Sequence, residues 1–270
     1  MSTMETSTLP ADRHPDHETG FVIPDSFRLS VIMPVYNERH TVLRVLDRVL
    51  AVPIRKEVII VDNCSTDGTR ELLQGLDTGA LHGPDAIRTL FHPRNLGRGA
   101  SVRTALAHCT GDYAITQGAD LEYDPEEWHV AIEKALREDL DAVFGSRTLG
   151  GRAVYVYLQN YLGVLFFNGL INLLYGSRYT DCATESKLIR TTTFQSLDLQ
   201  CSGFDLDFEI CTKLALGGHS FAELPISYHP RSIAQGKKLR AIRDGIAALR
   251  VILRDRVRST RRSPRPRNQV

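Results

Sequence analysis

The chain predicts an α/β fold: a doubly wound, mostly parallel sheet with helices on both faces. Three observations carry this. Leu29–Val35 and Glu57–Asp62 are continuous, β-branched apolar runs, the composition of central parallel strands covered on both faces. Between them, Thr41–Leu50 sets apolar residues at helical spacing. Further on, apolar runs keep ending in polar or acidic turns that open the next helix, the alternation of a doubly wound sheet.

The elements follow in order. Thr66-Asp67-Gly68-Thr69 starts a second helix ending near Gly75, with Ser65-Thr66-Asp67 as its N-cap. Ile87–His92 reads as the third strand, Gly99–His108 as the third helix and Asp112–Thr116 as the fourth strand. A helix opens at Pro125, capped by Asp124, and Asp141–Gly145 is the fifth strand. The second half leaves this alternation. It offers a helix over Ala153–Tyr175, a short strand Lys187–Arg190, a helix Phe208–Leu216, a strand Ala222–Tyr228 and a basic helix Arg240–Arg254. Residues 1–27 read as a disordered leader without the apolar core of a signal peptide, residues 28–257 as one domain, and residues 258–270 as a basic disordered tail.

Bulk composition narrows the classes. At 270 residues, 42% hydrophobic and 24% charged, the chain can bury one sizeable core. A net charge of +1 argues against a nucleic-acid partner, and no stable protein partner is evident. The cations are uneven, however. The stretch from Arg231 to Arg267 is strongly basic and could meet phosphates or an anionic membrane surface, or simply be solvated. Five cysteines with no CxxC spacing suggest neither a disulfide framework nor a zinc site and fit a cytoplasmic protein, with peripheral membrane contact left open. Ala153–Tyr175 is interrupted by Gln159, Asn160, Asn168 and Asn172. It suits a helix packed on the domain, or lying at an interface, better than a spanning one.

Chemistry concentrates where strands end. Gln117–Pro125 leaves the fourth strand with Asp120 and Glu122 at alternating positions, from which two carboxylates can share one hard cation with a bound diphosphate. Pro34 and Val35, at the end of the first strand, can wall a base, and Glu38 can accept from a base edge or ribose. A plain strand–helix turn is the rival reading. Arg147, after the fifth strand, is a candidate phosphate clamp. Arg231 and Lys237 lie in a polar loop suited to closing over a diphosphate.

Val31-Ile32-Met33-Pro34-Val35-Tyr36-Asn37-Glu38, Glu57–Thr69, Asn95-Leu96-Gly97-Arg98-Gly99-Ala100, the acidic loop, Gly145-Ser146-Arg147, Thr180-Asp181 and Tyr228-His229-Pro230-Arg231 to Lys238 occur in that order. Together they resemble the family 2 glycosyltransferases of GT-A fold, most closely the dolichyl- or polyprenyl-phosphate mannosyltransferase branch. The resemblance runs from about Leu29 to Arg256. It implies a nucleotide and metal half (28–150) and a sugar, acceptor and lid half (151–257). It also implies Mn²⁺ or Mg²⁺ as cofactor, a nucleotide sugar (a GDP-hexose in this branch) as donor, inverting transfer, and a polyprenyl phosphate or other anionic acceptor, with a soluble small-molecule acceptor as the alternative. Asp62 falls where the family keeps an acidic nucleotide contact. Arg98 replaces the commoner Lys of a diphosphate-binding loop. Asp181 falls in the segment facing sugar and acceptor, as a sugar-hydroxyl contact or an inward structural acid. His229 falls where some relatives bind metal; a proton shuttle or a structural histidine is equally open. Asp120, Asp181 and His229 are thus the catalytic candidates.

The chain also departs from the family pattern. The first acid of the usual Asp-Ala-Asp is Gly118, the second acid after Asp62 is Asn63, and the usual Glu, Cys and Tyr beyond Asp181 are Ala183, Glu185 and Ser186. These sugar-facing changes motivate a second reading, a nucleotide-sugar isomerase such as a GDP-sugar pyranose–furanose mutase. A non-catalytic nucleotide-sugar-binding scaffold is the third.

Overall fold

The computed structural model describes residues 21–76, 86–151, 158–231 and 241–260. Most of the expected leader, the end of the expected tail, and Lys237 and Lys238 lie outside them. Seven strands form one sheet among the described residues: β1 (Leu29–Val35), β2 (Lys56–Asp62), β3 (Ala86–Phe91), β4 (Tyr113–Thr116), β5 (Ala142–Ser146), β6 (Lys187–Arg190) and β7 (Phe221–Pro225). Their order is β3-β2-β1-β4-β6-β5-β7. Every neighbouring pair is parallel except those of β6, which runs antiparallel to both β4 and β5. The expected mostly parallel sheet is therefore present.

Helices α1 (Val42–Ala51), α2 (Thr69–Gln74), α3 (Arg98–Leu106), α4 (Trp128–Arg137), α5 (Leu158–Tyr175), α6 (Thr191–Ser196), α7 (Leu206–Gly217) and α8 (Ala241–Thr260) cover the sheet. Alternation along the central strands divides the core in two. Val31, Met33, Val58 and Ile60 pack on one face with α1 and α4. Ile32, Ile59 and Val61 pack on the other with α3 and α7, joined by Ile171 of α5 and Val251 and Ile252 of α8. Each such fully buried side chain contributes about 1.5–3 kcal/mol of transfer free energy.

Several local expectations are refined. The Asp124 side chain caps the turn before α4 by accepting from Glu126 N. The cap of α2 differs: the N-cap residue is Gly68 at φ 94°, and Asp67 accepts from Thr69 N at 3.1 Å and from its hydroxyl at 2.6 Å. The last strand stops at Pro225 instead of reaching Tyr228, because Ser227 N donates to Glu127 and the Tyr228 hydroxyl to Glu122, drawing the chain off the sheet. Helix α6 was not foreseen, since its Thr191-Thr192-Thr193 start has poor helix propensity. The leader boundary moves too: Phe27 is buried in the core.

Helix α5 buries Val164, Asn168 and Ile171 and leaves Leu158, Leu162, Leu165, Phe166 and Leu173 exposed. One face packs on the domain, as expected, and the opposite face is apolar and open. No helix among the described residues is long and apolar enough to cross a membrane.

Candidate active site

Strands β1 and β4 are neighbours, but the sheet continues from β1 towards β2 and from β4 towards β6. As adjacent parallel strands they release their following loops side by side, at the carboxyl end of the sheet where doubly wound folds take ligands. Glu38 follows β1 on one lip; Gln117–Glu122 follow β4 on the other. Gln117 N donates to Ile32 O at 2.8 Å, fastening the second lip to the first strand. Leu121 sits at φ 64°, a left-handed conformation that costs a β-unbranched apolar residue roughly 1 kcal/mol or more. The acidic segment is thus a turn, not a strand extension, and both of its carboxylates reach one cation.

That cation is Arg231. Its guanidinium lies 2.9 Å from Asp120 Oδ2, and 3.1 and 3.2 Å from the two Glu38 oxygens. Its backbone N donates to Glu122 Oε1 at 3.0 Å, while the Tyr228 hydroxyl donates to Glu122 Oε2 at 2.9 Å and His229 N to the Glu122 carbonyl at 2.9 Å. Glu122 therefore staples residues 228–231 to the loop after β4. Arg231, expected to meet phosphate, here neutralises the acids. The His229 side chain is exposed. Asp120 is pushed up to about 7 by burial first, then by repulsion from Glu122 and Glu185, partly offset by Arg231.

A second charged network lies beneath. Arg98 Nη1 is 2.8 Å from Asp207 Oδ2 and Nη2 is 3.1 Å from Glu185 Oε1, with the guanidinium over the Phe204 ring. Lys187 Nζ is 3.4 Å from Asp207 Oδ1. Arg98 was expected on the diphosphate; in this arrangement it is held inward by the buried Asp207 and the partly buried Glu185 carboxylates. The glycines around it serve the fold in the same way. A Cβ on Gly97, which has φ 92°, would meet Ser202 O at 2.1 Å, and one on Gly99 would meet Cys201 O at 2.8 Å. The close approach is to the loop before α7, not to a ligand. Gly97→Ala is expected to lower stability by about 1–3 kcal/mol in chemical denaturation; an unchanged midpoint would remove this packing argument.

Three more candidates are committed to the scaffold. Asp181 is fully buried and takes Arg147 in a two-pronged pair, Nε to Oδ2 at 2.7 Å and Nη2 to Oδ1 at 2.8 Å, with Arg147 N donating to Oδ2 at 3.0 Å. In this arrangement Asp181 faces inward as a partner of Arg147, and the same pair keeps Arg147 from a phosphate. Asp62 is also fully buried, receiving Arg70 Nε at 2.8 Å and Ser65 N at 3.2 Å, so it does not present itself to a base. Val35 is 1% exposed and belongs to the core, leaving Pro34 and Glu38 at the lip. Asn63, in place of a second acid, accepts from Leu96 N at 2.9 Å, contacts His92 Nδ1 at 3.0 Å and donates to Asn95 at 3.0 Å. It ties down the loop before α3.

The donors fit a hard divalent cation such as Mn²⁺ or Mg²⁺. Asp120 and Glu122 offer only carboxylate oxygens, and a Cβ at Gly118 would crowd Asp120 Oδ1 at 3.0 Å, so this carboxylate already borders the position of the missing acid. Among the described residues no three acidic, His or Cys side chains already enclose one point; the Arg231 guanidinium spans the acids in their present arrangement. Sequence reasoning singled out Glu185 only as a departure, and passed over Tyr228 as a hydroxyl donor.

Comparison with known proteins adds three likenesses and one match. A family model described as Glycosyl transferase family 2 matches residues 30–198. Glycosyltransferase AglJ of Haloferax volcanii is 25% identical over 228 residues, 83% of this chain and 70% of that protein. Undecaprenyl-phosphate 4-deoxy-4-formamido-L-arabinose transferase of Pseudomonas fluorescens is 33% identical over 111 residues, 40% of this chain and 32% of the relative, so the match spans about a third of that protein. The structure of mannosyltransferase PcManGT from Pyrobaculum calidifontis, in complex with GDP-Man and Mn²⁺, superposes with a TM-score of 0.56 at 20% identity, covering 91% of this chain and 68% of that one.

Proposed function

Given that the chain belongs to glycosyl transferase family 2 and has the GT-A fold, we propose that it is a metal-dependent, inverting glycosyltransferase using a nucleotide sugar, with a GDP-hexose as donor and a polyprenyl phosphate as acceptor. The observation that supports this reading is that Glu38, Asp120 and Glu122 each meet a nitrogen of the one Arg231 guanidinium beside the ends of β1 and β4. The relatives add support. One is a transferase named for undecaprenyl phosphate, and one similar fold holds GDP-Man with Mn²⁺.

In this reading Asp120 and Glu122 hold the divalent ion, and the chemistry it supplies is neutralisation of the diphosphate leaving group. Pro34 and Glu38 orient the nucleoside. Arg231 exchanges its carboxylate partners for diphosphate oxygens, carrying residues 228–231 over the donor and excluding water that would hydrolyse the sugar. The acceptor oxygen forms a bond to the anomeric carbon as the bond to the diphosphate oxygen breaks. A phosphate acceptor arrives as an anion and needs no strong base. For a hydroxyl acceptor, the exposed His229 is the group at hand.

The test is incubation of the whole chain with GDP- and UDP-hexoses and Mn²⁺, with and without a polyprenyl phosphate. Glycosylated lipid phosphate, formed only when acceptor is added, is the expected result. Isomerised nucleotide sugar without acceptor would replace transfer by rearrangement. Binding with no turnover of either kind would leave a scaffold.

A further inference from the structure

We infer that Glu185 supplies the carboxylate that Gly118 lacks, so that the cation site is completed by Asp120, Glu122 and Glu185. The inference rests on the proposed divalent ion at Asp120 and Glu122 and assigns it a third protein ligand from a distant part of the chain.

Space is the first argument. A Cβ at Gly118 would lie 3.0 Å from Asp120 Oδ1 and 3.2 Å from Glu185 Oε2. The point from which a side chain at 118 would start is already flanked by both carboxylates. An acid at 118 would crowd and repel Glu185, so the two positions offer one place to one carboxylate. Topology explains how. Because β6 is antiparallel to β4, with Leu188 beside Ile115, the residues just before β6 arrive at the rim where β4 ends.

Chemistry is the second argument. Among the described residues, Glu38, Asp120, Glu122, Glu185 and Asp207 form contiguous charge networks with Arg98, Lys187 and Arg231. Glu38, Asp120 and Glu122 meet on the single Arg231 guanidinium, and a divalent ion would take over part of that neutralisation when Arg231 turns to the diphosphate. Glu185 Oε1 makes no hydrogen bond of good geometry, although Arg98 Nη2 is 3.1 Å away. Arg98 does not depend on it: Asp207 holds the other arm of the guanidinium at 2.8 Å. Glu185 can therefore turn towards Asp120 without leaving Arg98 uncompensated, while Arg231 leaves for the diphosphate.

The measurement is Mn²⁺ binding to the whole chain in the presence of GDP or UDP, read from the electron paramagnetic resonance of free Mn²⁺, with circular dichroism as the folding check. Glu185→Ala is expected to weaken Mn²⁺ binding roughly tenfold or more, and the double variant Gly118→Asp/Glu185→Ala to recover it towards wild type. Rescue from position 118 is what a purely structural partner of Arg98 would not give. Should the alanine variant fail to fold, the near-isosteric Glu185→Gln carries the same expectation of weakened binding. Wild-type affinity in folded Glu185→Ala or Glu185→Gln overturns the inference and leaves the two-ligand site standing. So does a folded double variant that recovers nothing. If wild type itself binds no Mn²⁺ with either nucleotide, the inference falls together with the metal-dependent reading.

Discussion

Asp120→Ala is expected to reduce turnover by roughly a thousandfold, the scale on which a lost electrostatic contact to the transition state is felt. Asp120 sits between the two lips: one oxygen accepts from the Arg231 guanidinium at 2.9 Å and the other from Glu122 N at 3.2 Å. In the proposed reading its loss removes one of the two carboxylates that would hold the divalent ion. The fold should survive, because Arg231 keeps Glu38 at 3.1 Å and Glu122 at 3.6 Å. The variant should melt close to wild type, yet calorimetry should show nucleoside diphosphate binding that no longer tightens when Mn²⁺ is added. Full turnover by Asp120→Ala, or by wild type in excess chelator, would end the metal-dependent reading.

Asp181→Ala is expected to act oppositely, through stability. Asp181 is 0% exposed and the Arg147 side chain 9% exposed, so truncation leaves a guanidinium buried without its two-pronged partner. Removing one member of a buried pair costs about 3–5 kcal/mol. Urea unfolding should therefore shift strongly, and any loss of activity should follow the folded fraction. A variant with intact stability and lost turnover would return Asp181 to the role of sugar contact.

How far the sequence was legible follows from these residues. Periodicity and β-branching located the strands because β1 and β2 are buried on both faces, a condition that imposes continuous apolar runs. The position of the site was legible because strand ends and acidic turns are local features. What stayed hidden was pairing between residues far apart. The sequence leaves undetermined whether Arg98 meets a diphosphate or Asp207, and whether Asp181 faces a sugar or Arg147. The partners lie 109 and 34 positions away. In both cases the described arrangement pairs a cation or acid inside the domain with the nearest opposite charge. Glu185 shows the same limit from the other side. A substitution within a motif and an unusual acid beyond it look like separate departures until the antiparallel strand brings them together.

The placement of β6 also bears on how the chain assembles. β4 and β5 follow each other in sequence but do not pair; four residues, Lys187–Arg190, form the rung between them. A nascent chain that has emerged only as far as α5 therefore holds two strands with facing, unfilled edges. Such edges invite pairing with other chains until they are covered. The sheet cannot close from the amino terminus onward by adding one neighbour at a time. It waits for a short segment to thread back into a slot, so mutations that slow arrival of Lys187–Arg190 would be felt first as aggregation during synthesis, before any loss in the finished protein.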